Sequence, residues 1–249
     1  MLFRGSGDDM DLLFTSLFIG FIAGMIVSTL GVAYGVTASS FLLSLGLAPA
    51  IVSSTVHTAE VFISLVTGTS HLKLGNVDKK LFLNLVIPGV VMGGFGAYFL
   101  VSAPVSTISK AISFYLVVMG ILVILRAFGR TVILKEINRK VLGGIGGFLD
   151  AIGGGGWRSI VASTLIANNE DPKKAVGSVN ATKFFVTVSE ALVFYTLMGV
   201  KYPEIVIGLL IGGVIAAPIG AYVCKKAPTK LLMIAVGILI IFLNIRKLL

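Results

Sequence analysis

Residues 147–163, GFLDAIGGGGWRSIVAS, decide how this chain folds. Each glycine costs about 1 kcal/mol relative to alanine inside a helix, so the run Gly153–Gly156 predicts a break in the helix. Arg158 then falls in the first turn of the next half-helix, where the helix dipole disfavours a further positive charge. An anion held between the glycine turn and the guanidinium would offset both costs. Close helix packing is the alternative explanation for the glycines.

The chain as a whole is too apolar for an ordinary soluble domain. Of its 249 residues, 56% are hydrophobic and 12% are charged, against about 25% charged in soluble proteins. Several apolar runs reach the ~20 residues that cross the hydrocarbon layer. We therefore predict an all-α membrane protein, a polytopic helical bundle that is multi-pass in the cell (cytoplasmic) membrane. The net charge of +9 fits basic cytoplasmic loops, so no nucleic acid is expected as a partner.

Several segments recur in the same order in the two halves of the chain. GAYFLVSAP (Gly96–Pro104) matches GAYVCKKAP (Gly220–Pro228), and PAIVSSTVHTAEVF (Pro49–Phe62) matches PKKAVGSVNATKFF (Pro172–Phe185). Such order predicts two internal repeats. We assign residues 1–128 to a first transmembrane repeat, 129–140 to a cytoplasmic connecting loop and 141–249 to a second repeat.

Each repeat is expected to begin with a glycine-broken helix-turn-helix segment, at residues 11–47 and 141–167, followed by three longer helices. If these segments are re-entrant hairpins, the repeats insert in opposite orientations, whereas segments that cross the membrane make the repeats parallel. Hairpins place 13 Lys and Arg residues on one face and five on the other, and crossings place 12 against six. The positive-inside rule slightly favours the inverted arrangement, with both termini outside.

Five ionisable side chains lie inside the predicted membrane segments: Glu60, Asp150, Arg158, Lys183 and Glu190. A charge at mid-bilayer costs about 2.5–3.5 kcal/mol on insertion scales, so such residues face a cavity, a partner or a substrate. A structural ion pair of Arg158 with Glu190 or Asp150 is an alternative to anion binding.

The helix after each break carries polar side chains on one face. In the second repeat these are Asn180, Lys183, Thr187 and Glu190. In the first repeat they are Ser54, His57, Glu60 and Ser64. By the repeat offset Glu60 matches Lys183, which makes the two a candidate ion pair. His57 is either a proton carrier or an ordinary interhelical histidine, and His71 is set aside because it falls at a helix end.

These segments resemble the sulfite exporter TauE/SafE family of bacterial and archaeal membrane proteins, over about residues 12–243. The resemblance is carried by the broken segments, the helices SSTVHTAEVF and GSVNATKFF, and the GAY…AP ends. It implies seven or eight transmembrane segments, no ATPase domain and coupling to an ion gradient. Family members are linked to sulfite, organosulfonates and related sulfur anions. In the first repeat Gly31-Val-Ala-Tyr34-Gly35 replaces the glycine run, so that half departs from the pattern.

We therefore expect a secondary transporter that moves a small sulfur-containing oxyanion, sulfite or an organosulfonate, by alternating access. The alternatives are a passive anion channel and a transporter of another small anion or of a cation. No catalytic set or nucleotide-binding loop is evident, so an enzyme is not expected. The expected partners are the sulfur oxyanion, the lipid bilayer and a coupling proton or Na⁺, with a homodimer as one candidate assembly.

The expected site residues follow from these arguments, and neither a metal nor a cofactor is among the expectations. The expected substrate contacts are Arg158, Lys183, Asn180, His57, Gly153, Gly154, Gly155, Gly156, Trp157 and Tyr34. The expected coupling or ion-pair residues are Glu60, Glu190 and Asp150.

Overall fold

The computed structural model describes residues 6–30, 33–130, 137–224 and 228–248, and every regular element in these ranges is a helix. The helices are α1 (Ser6–Leu30), α2 (Tyr34–Ser44), α3 (Pro49–Lys73), α4 (Lys79–Ser102), α5 (Val105–Ala127), α6 (Arg139–Gly153), a π-helical turn (Arg158–Ala162), α7 (Ser163–Ala167), α8 (Pro172–Met198), α9 (Pro203–Cys224) and α10 (Thr229–Ile245). Gly31 in the first predicted break and residues 131–136 of the predicted connecting loop lie outside the described residues.

Local sequence explains where several helices begin. The Asp78 side chain accepts a hydrogen bond from the Leu81 N–H, and Asp171 does the same for Lys174, which are N-cap interactions for α4 and α8. Proline occupies the first position of α3, where its missing N–H costs nothing. These start signals place the polar faces of α3 and α8 in the middle of two long helices.

Six helices in the described part of the chain are long and apolar enough to cross a membrane. They are Asp9–Leu30, Pro49–Lys73, Lys79–Ser102, Val105–Ala127, Pro172–Met198 and Pro203–Gly220. Two apolar helices are shorter, Arg158–Ala167 and Lys230–Ile245. The predicted all-α, multi-pass membrane fold is confirmed, whereas the internal repeat stays a prediction.

Glycines bring helices of the two halves into close contact. α1 packs along α9, where a Cβ added to Gly24 would lie 2.8 Å from the Gly213 Cα atom. α6 packs along α4, where a Cβ added to Gly143 would lie 2.8 Å from the Leu85 carbonyl oxygen. Small residues let backbones approach in this way in membrane helices. The first helix of each half therefore packs against the other half.

The second broken segment begins and ends at the same end of the molecule. Arg139, the first residue of α6, forms an ion pair with Glu170, which follows α7. α6 has 15 residues, so it is about 22 Å long, less than the ~30 Å hydrocarbon layer. The segment is therefore a hairpin that turns back inside the molecule.

Lysines gather at the end of the molecule where this hairpin starts. Lys73 ends α3 and Lys79 begins α4, and the Lys174 ammonium donates to the Gly75 carbonyl at 2.9 Å, so the start of α8 is there too. We call this the basic end, and the other end, where Lys201 joins α8 to α9, the opposite end.

Candidate functional site

The second break consists of glycines whose conformation and packing require glycine. α6 ends at Gly153, and Gly154, Gly155 and Gly156 have φ angles of 66°, 146° and 134°, which side chains rarely allow. A Cβ added to Gly155 would lie 2.6 Å from the Cα atom of Gly35 at the start of α2. The two broken segments therefore touch backbone to backbone at the centre of the molecule.

Asp150 occupies the position at which the sequence predicts an anion. Its backbone carbonyl accepts from the Gly155 N–H at 3.0 Å, and its carboxylate accepts from the Trp157 N–H at 2.8 Å. The start of a half-helix favours negative charge, so the Asp150 carboxylate takes the place of an external anion at the Trp157 N–H. The π-helical turn that follows starts at Arg158, and such turns are frequent at functional sites.

Lys183 lies at the centre of a buried cluster of charges. Its ammonium is 2.9 Å from one oxygen of Glu60 and pairs with the Asp150 carboxylate. The other oxygen of Glu60 is 3.3 Å from the Arg158 guanidinium, so Glu60 bridges two cations. The Glu60–Lys183 pair expected from the sequence is thus present, and Arg158 pairs with Glu60 rather than with Asp150 or Glu190.

His57 and Glu190 form the remaining part of this cluster. The His57 Nδ1 atom is 3.2 Å from Glu190 Oε2, and its Nε2 atom is 3.0 Å from the Asp150 carbonyl oxygen. The Phe194 ring stacks on the His57 ring at 6.3 Å. Both His57 and Glu190 are fully buried, so the pair lies deeper in the protein than Arg158.

Arg158 forms part of the wall of a cavity of about 580 Å³ between α1, α3, α8 and α9. The guanidinium Nε donates to Asn180 Oδ1 at 2.9 Å and Nη1 donates to Glu60. Nη2 has no hydrogen-bond partner among the described residues, although Arg158 is only 8% exposed. A buried donor without an acceptor is costly, so this nitrogen is a candidate contact for a ligand beside Arg158.

The other expected contacts have different positions. Both polar atoms of the Asn180 amide have a protein partner, because Nδ2 donates to the Val176 carbonyl at 2.9 Å and the oxygen accepts from the Arg158 Nε. Tyr34 lines the cavity and donates its hydroxyl to the Leu209 carbonyl. Trp157 is wholly buried and donates to the Val179 carbonyl, so its ring belongs to the core.

His71 lines the same cavity and was missed by the sequence reasoning. Its Nδ1 atom is 3.2 Å from the Asn76 amide nitrogen. An amide nitrogen only donates, so Nδ1 accepts and the hydrogen of the neutral ring is on Nε2. The available signal was spacing, since His71 follows His57 by two heptads on the same face of α3.

The cluster has one grouping with the spacing of a metal site. Ligand atoms of His57, Glu60 and Asp150 lie within 4.8 Å of one another. The ammonium of Lys183 lies between the two carboxylates, however, and already supplies the positive charge there. The arrangement is therefore one of internal ion pairs.

A second cavity lies on the other side of the cluster. It has a volume of about 310 Å³ and is lined by the start of α3, at Ser54 and Thr58, and by Lys201 after α8. Phe194 lies between this cavity and His57. His71 and Val176 place the 580 Å³ cavity toward the basic end, so the two cavities belong to opposite ends of the molecule, and Phe62 lines both.

Comparison with known proteins gives consistent matches. Residues 16–246 match the sequence model of the family described as sulfite exporter TauE/SafE. The chain is 39% identical over 244 residues to the probable membrane transporter protein YtnM of Bacillus subtilis (strain 168), across 93% of this chain and 81% of that protein. No solved structure matches. The family match includes both halves and every residue of the charge cluster.

Proposed function

This chain belongs to the sulfite exporter TauE/SafE family of membrane transporters, and from that premise we propose that it moves a small sulfur-containing oxyanion by alternating access. The observation that carries the proposal is Arg158, which lines the 580 Å³ cavity and has one guanidinium nitrogen, Nη2, without a hydrogen-bond partner among the described residues. A guanidinium matches the planar edge of an oxyanion and is less strongly hydrated than an ammonium. Sulfite and organosulfonates carry three oxygens on one sulfur, and two of these oxygens can face a guanidinium.

The cavity offers three kinds of contact for this anion: a positive charge, a neutral donor and an aromatic wall. Arg158 provides the charge and His71 adds an N–H donor, while Tyr34 forms a wall for an organic portion. Asn180 is a positioning residue, because it fixes the guanidinium. Lys183 acts from behind Glu60, where it balances the carboxylate and leaves Arg158 with charge for the anion. The glycines of the break set the positions of Asp150 and Arg158.

Alternating access is supported by the two cavities and by the packing of the halves. We propose that the basic end is cytoplasmic, because Lys and Arg concentrate in cytoplasmic loops. The cavity with Arg158 is then open inward, and Phe194 closes the outward path above His57. The packing of α1 on α9 and of α6 on α4 fits inverted repeats at residues 1–128 and 141–249, which rock about the central site.

The test is transport by purified protein in liposomes. Arg158→Ala is expected to abolish accumulation of labelled sulfite, because it removes the charge that faces the cavity. Arg139→Ala is the matched control, since Arg139 pairs with Glu170 outside the cluster. A thermal-shift screen with sulfite, sulfate, thiosulfate, taurine and sulfoacetate identifies the ligand that stabilises the folded protein.

Two outcomes contradict the proposal. Sulfite accumulation by Arg158→Ala at the wild-type rate would remove Arg158 from the site. Wild-type liposomes that equilibrate sulfite but never concentrate it against a gradient would indicate a passive anion channel.

A further inference from the structure

The His57–Glu190 pair has a hydrogen-bonding requirement that the protein alone does not meet. The Asp150 carbonyl that faces His57 Nε2 at 3.0 Å can only accept, so Nε2 carries a hydrogen. On the other side of the ring, Nδ1 faces Glu190 Oε2 at 3.2 Å. Without a further proton, two lone pairs would face each other at this contact. One proton must therefore lie between the imidazole and the carboxylate, on either atom.

The charges around the His57–Glu190 pair also require one bound proton. Glu60 and Asp150 are balanced by Arg158 and Lys183, which leaves Glu190 as the uncompensated charge. Neither Glu190 oxygen has a hydrogen-bond partner in the part of the chain that the structure describes. A buried charge of this kind is strongly unfavourable. A single proton on the pair makes the whole cluster neutral.

Among the described residues, the surrounding helices place no further donor or cation against Glu190. α4 faces Glu190 with Gly93, which has no side chain. The nearest further carboxylate is Glu60, whose Oε2 is 3.6 Å from His57 Nδ1. The titratable and charged groups that face the pair are Glu60 on α3, Asp150 on α6, Arg158 on the π-helical turn, Lys183 on α8, Tyr115 on α5 and Tyr34 on α2.

We propose that the His57–Glu190 pair binds one proton that is co-transported with the anion held at Arg158, an inference that rests on the proposed function. Glu60 couples the two sites, because one of its oxygens contacts Arg158 and the other lies between Lys183 and His57. With the proton bound, the cluster is neutral and Arg158 accepts an anion. Without it, the cluster carries one negative charge and repels the anion, so the two are bound and released together.

Liposomes with an acidic exterior and an internal pH dye test the coupling. Labelled sulfite and methanesulfonate are the probes, and methanesulfonate carries no proton of its own. Wild-type protein is expected to accumulate at least one probe and to acidify the lumen by one proton per methanesulfonate. Glu190→Gln should lose more than 90% of both signals while a measurable exchange of labelled for unlabelled probe persists. The matched control is Glu170→Gln, the same chemical change outside the cluster.

Accumulation and acidification by Glu190→Gln at wild-type levels would overturn the proposal. His57→Gln is the second variant, in case Glu190→Gln does not fold, and it should show the same loss of coupling.

A spectroscopic test needs no substrate. The chain has only two histidines, so ¹⁵N-histidine NMR of a His71→Gln background reports His57 alone. The proton is expected as an imidazolium signal from His57, or as an infrared band of a protonated carboxyl group that is missing in Glu190→Gln. Absence of both would overturn the inference. If the proton is found but wild-type protein moves neither probe, the proton site is supported and only the proposed substrate is contradicted.

Discussion

At the scale of single residues, four charges of the described cluster balance one another, whereas Glu190 contacts only His57 and one nitrogen of Arg158 has no hydrogen-bond partner. Glu60 uses both oxygens on cations, and Asp150 uses its carboxylate on Lys183 and on the Trp157 N–H. Arg158 uses two of its three nitrogens, and the third has no hydrogen-bond partner among the described residues. This nitrogen makes no internal hydrogen bond, so it is available for a ligand.

His71 provides a prediction at this scale. His71→Ala should weaken anion binding about 10- to 150-fold, because one hydrogen bond to a charged group contributes about 1.5–3 kcal/mol. His71→Gln retains a donor at the same place and should lose less. Ligand concentration series in thermal-shift assays measure both affinities. Equal affinity of His71→Ala and wild-type protein would place His71 outside the anion site.

Sequence reasoning found the ionisable residues of the cluster and the Glu60–Lys183 pair, but not the partner of Arg158. Hydrophobicity makes any charge in these helices conspicuous, so Arg158 and Lys183 could be selected without a structure. The partner of Arg158 is Glu60, 98 residues earlier in the chain, and no local pattern specifies such a pairing. The place of His71 was missed because it depends on how α1 and α9 pack around the end of α3.

At the scale of helices, the predicted break in the second half is where the sequence places it. The predicted segment 141–167 contains the end of α6 at Gly153 and the half-helix up to Ala167, because consecutive glycines at positive φ cannot continue a helix. The sequence left open whether the segment crosses the membrane. The Arg139–Glu170 pair shows that both ends of the segment meet, and such a long-range contact is not encoded in local propensity.

Gly155 gives the prediction for this scale. Gly155→Ala combines a left-handed conformation, which costs about 1–2 kcal/mol for a residue with a Cβ, with a 2.6 Å approach to the Gly35 backbone. We expect it to lower the melting temperature by several degrees and to abolish transport. Gly46→Ala is the control, since Gly46 has φ of 87° and nothing within 4 Å, so it tests the backbone conformation without the close approach. Equal melting temperatures of the two variants would show that the contact between the breaks is unimportant.

At the scale of the whole molecule, orientation in the membrane follows from where the lysines lie. The basic end holds Lys73, Lys79 and Lys174, whereas Lys201 lies at the opposite end. By the positive-inside rule, we propose that the cavity with Arg158 opens to the cytoplasm. Under the proposed function, the same orientation would bring the anion to Arg158 from the cytoplasmic side.

Sidedness can be measured in intact cells. In a Cys224→Ser background, which removes the single native cysteine, Lys201→Cys should react with a membrane-impermeant maleimide. Lys174→Cys should react only after the cells are opened. Labelling of Lys174→Cys in intact cells, with Lys201→Cys protected, would reverse the orientation.

The contact between Gly35 and Gly155 has a consequence for how this protein can evolve. A methyl group on either residue meets the backbone of the other, and both positions are already the smallest residue available. A larger residue at one position therefore cannot be accommodated by a smaller residue at the other. Related chains should therefore have glycine at both positions together, and a natural variant that lacks one should carry a shifted backbone at the crossing. Substitutions at Gly35 and Gly155 are therefore expected to constrain each other.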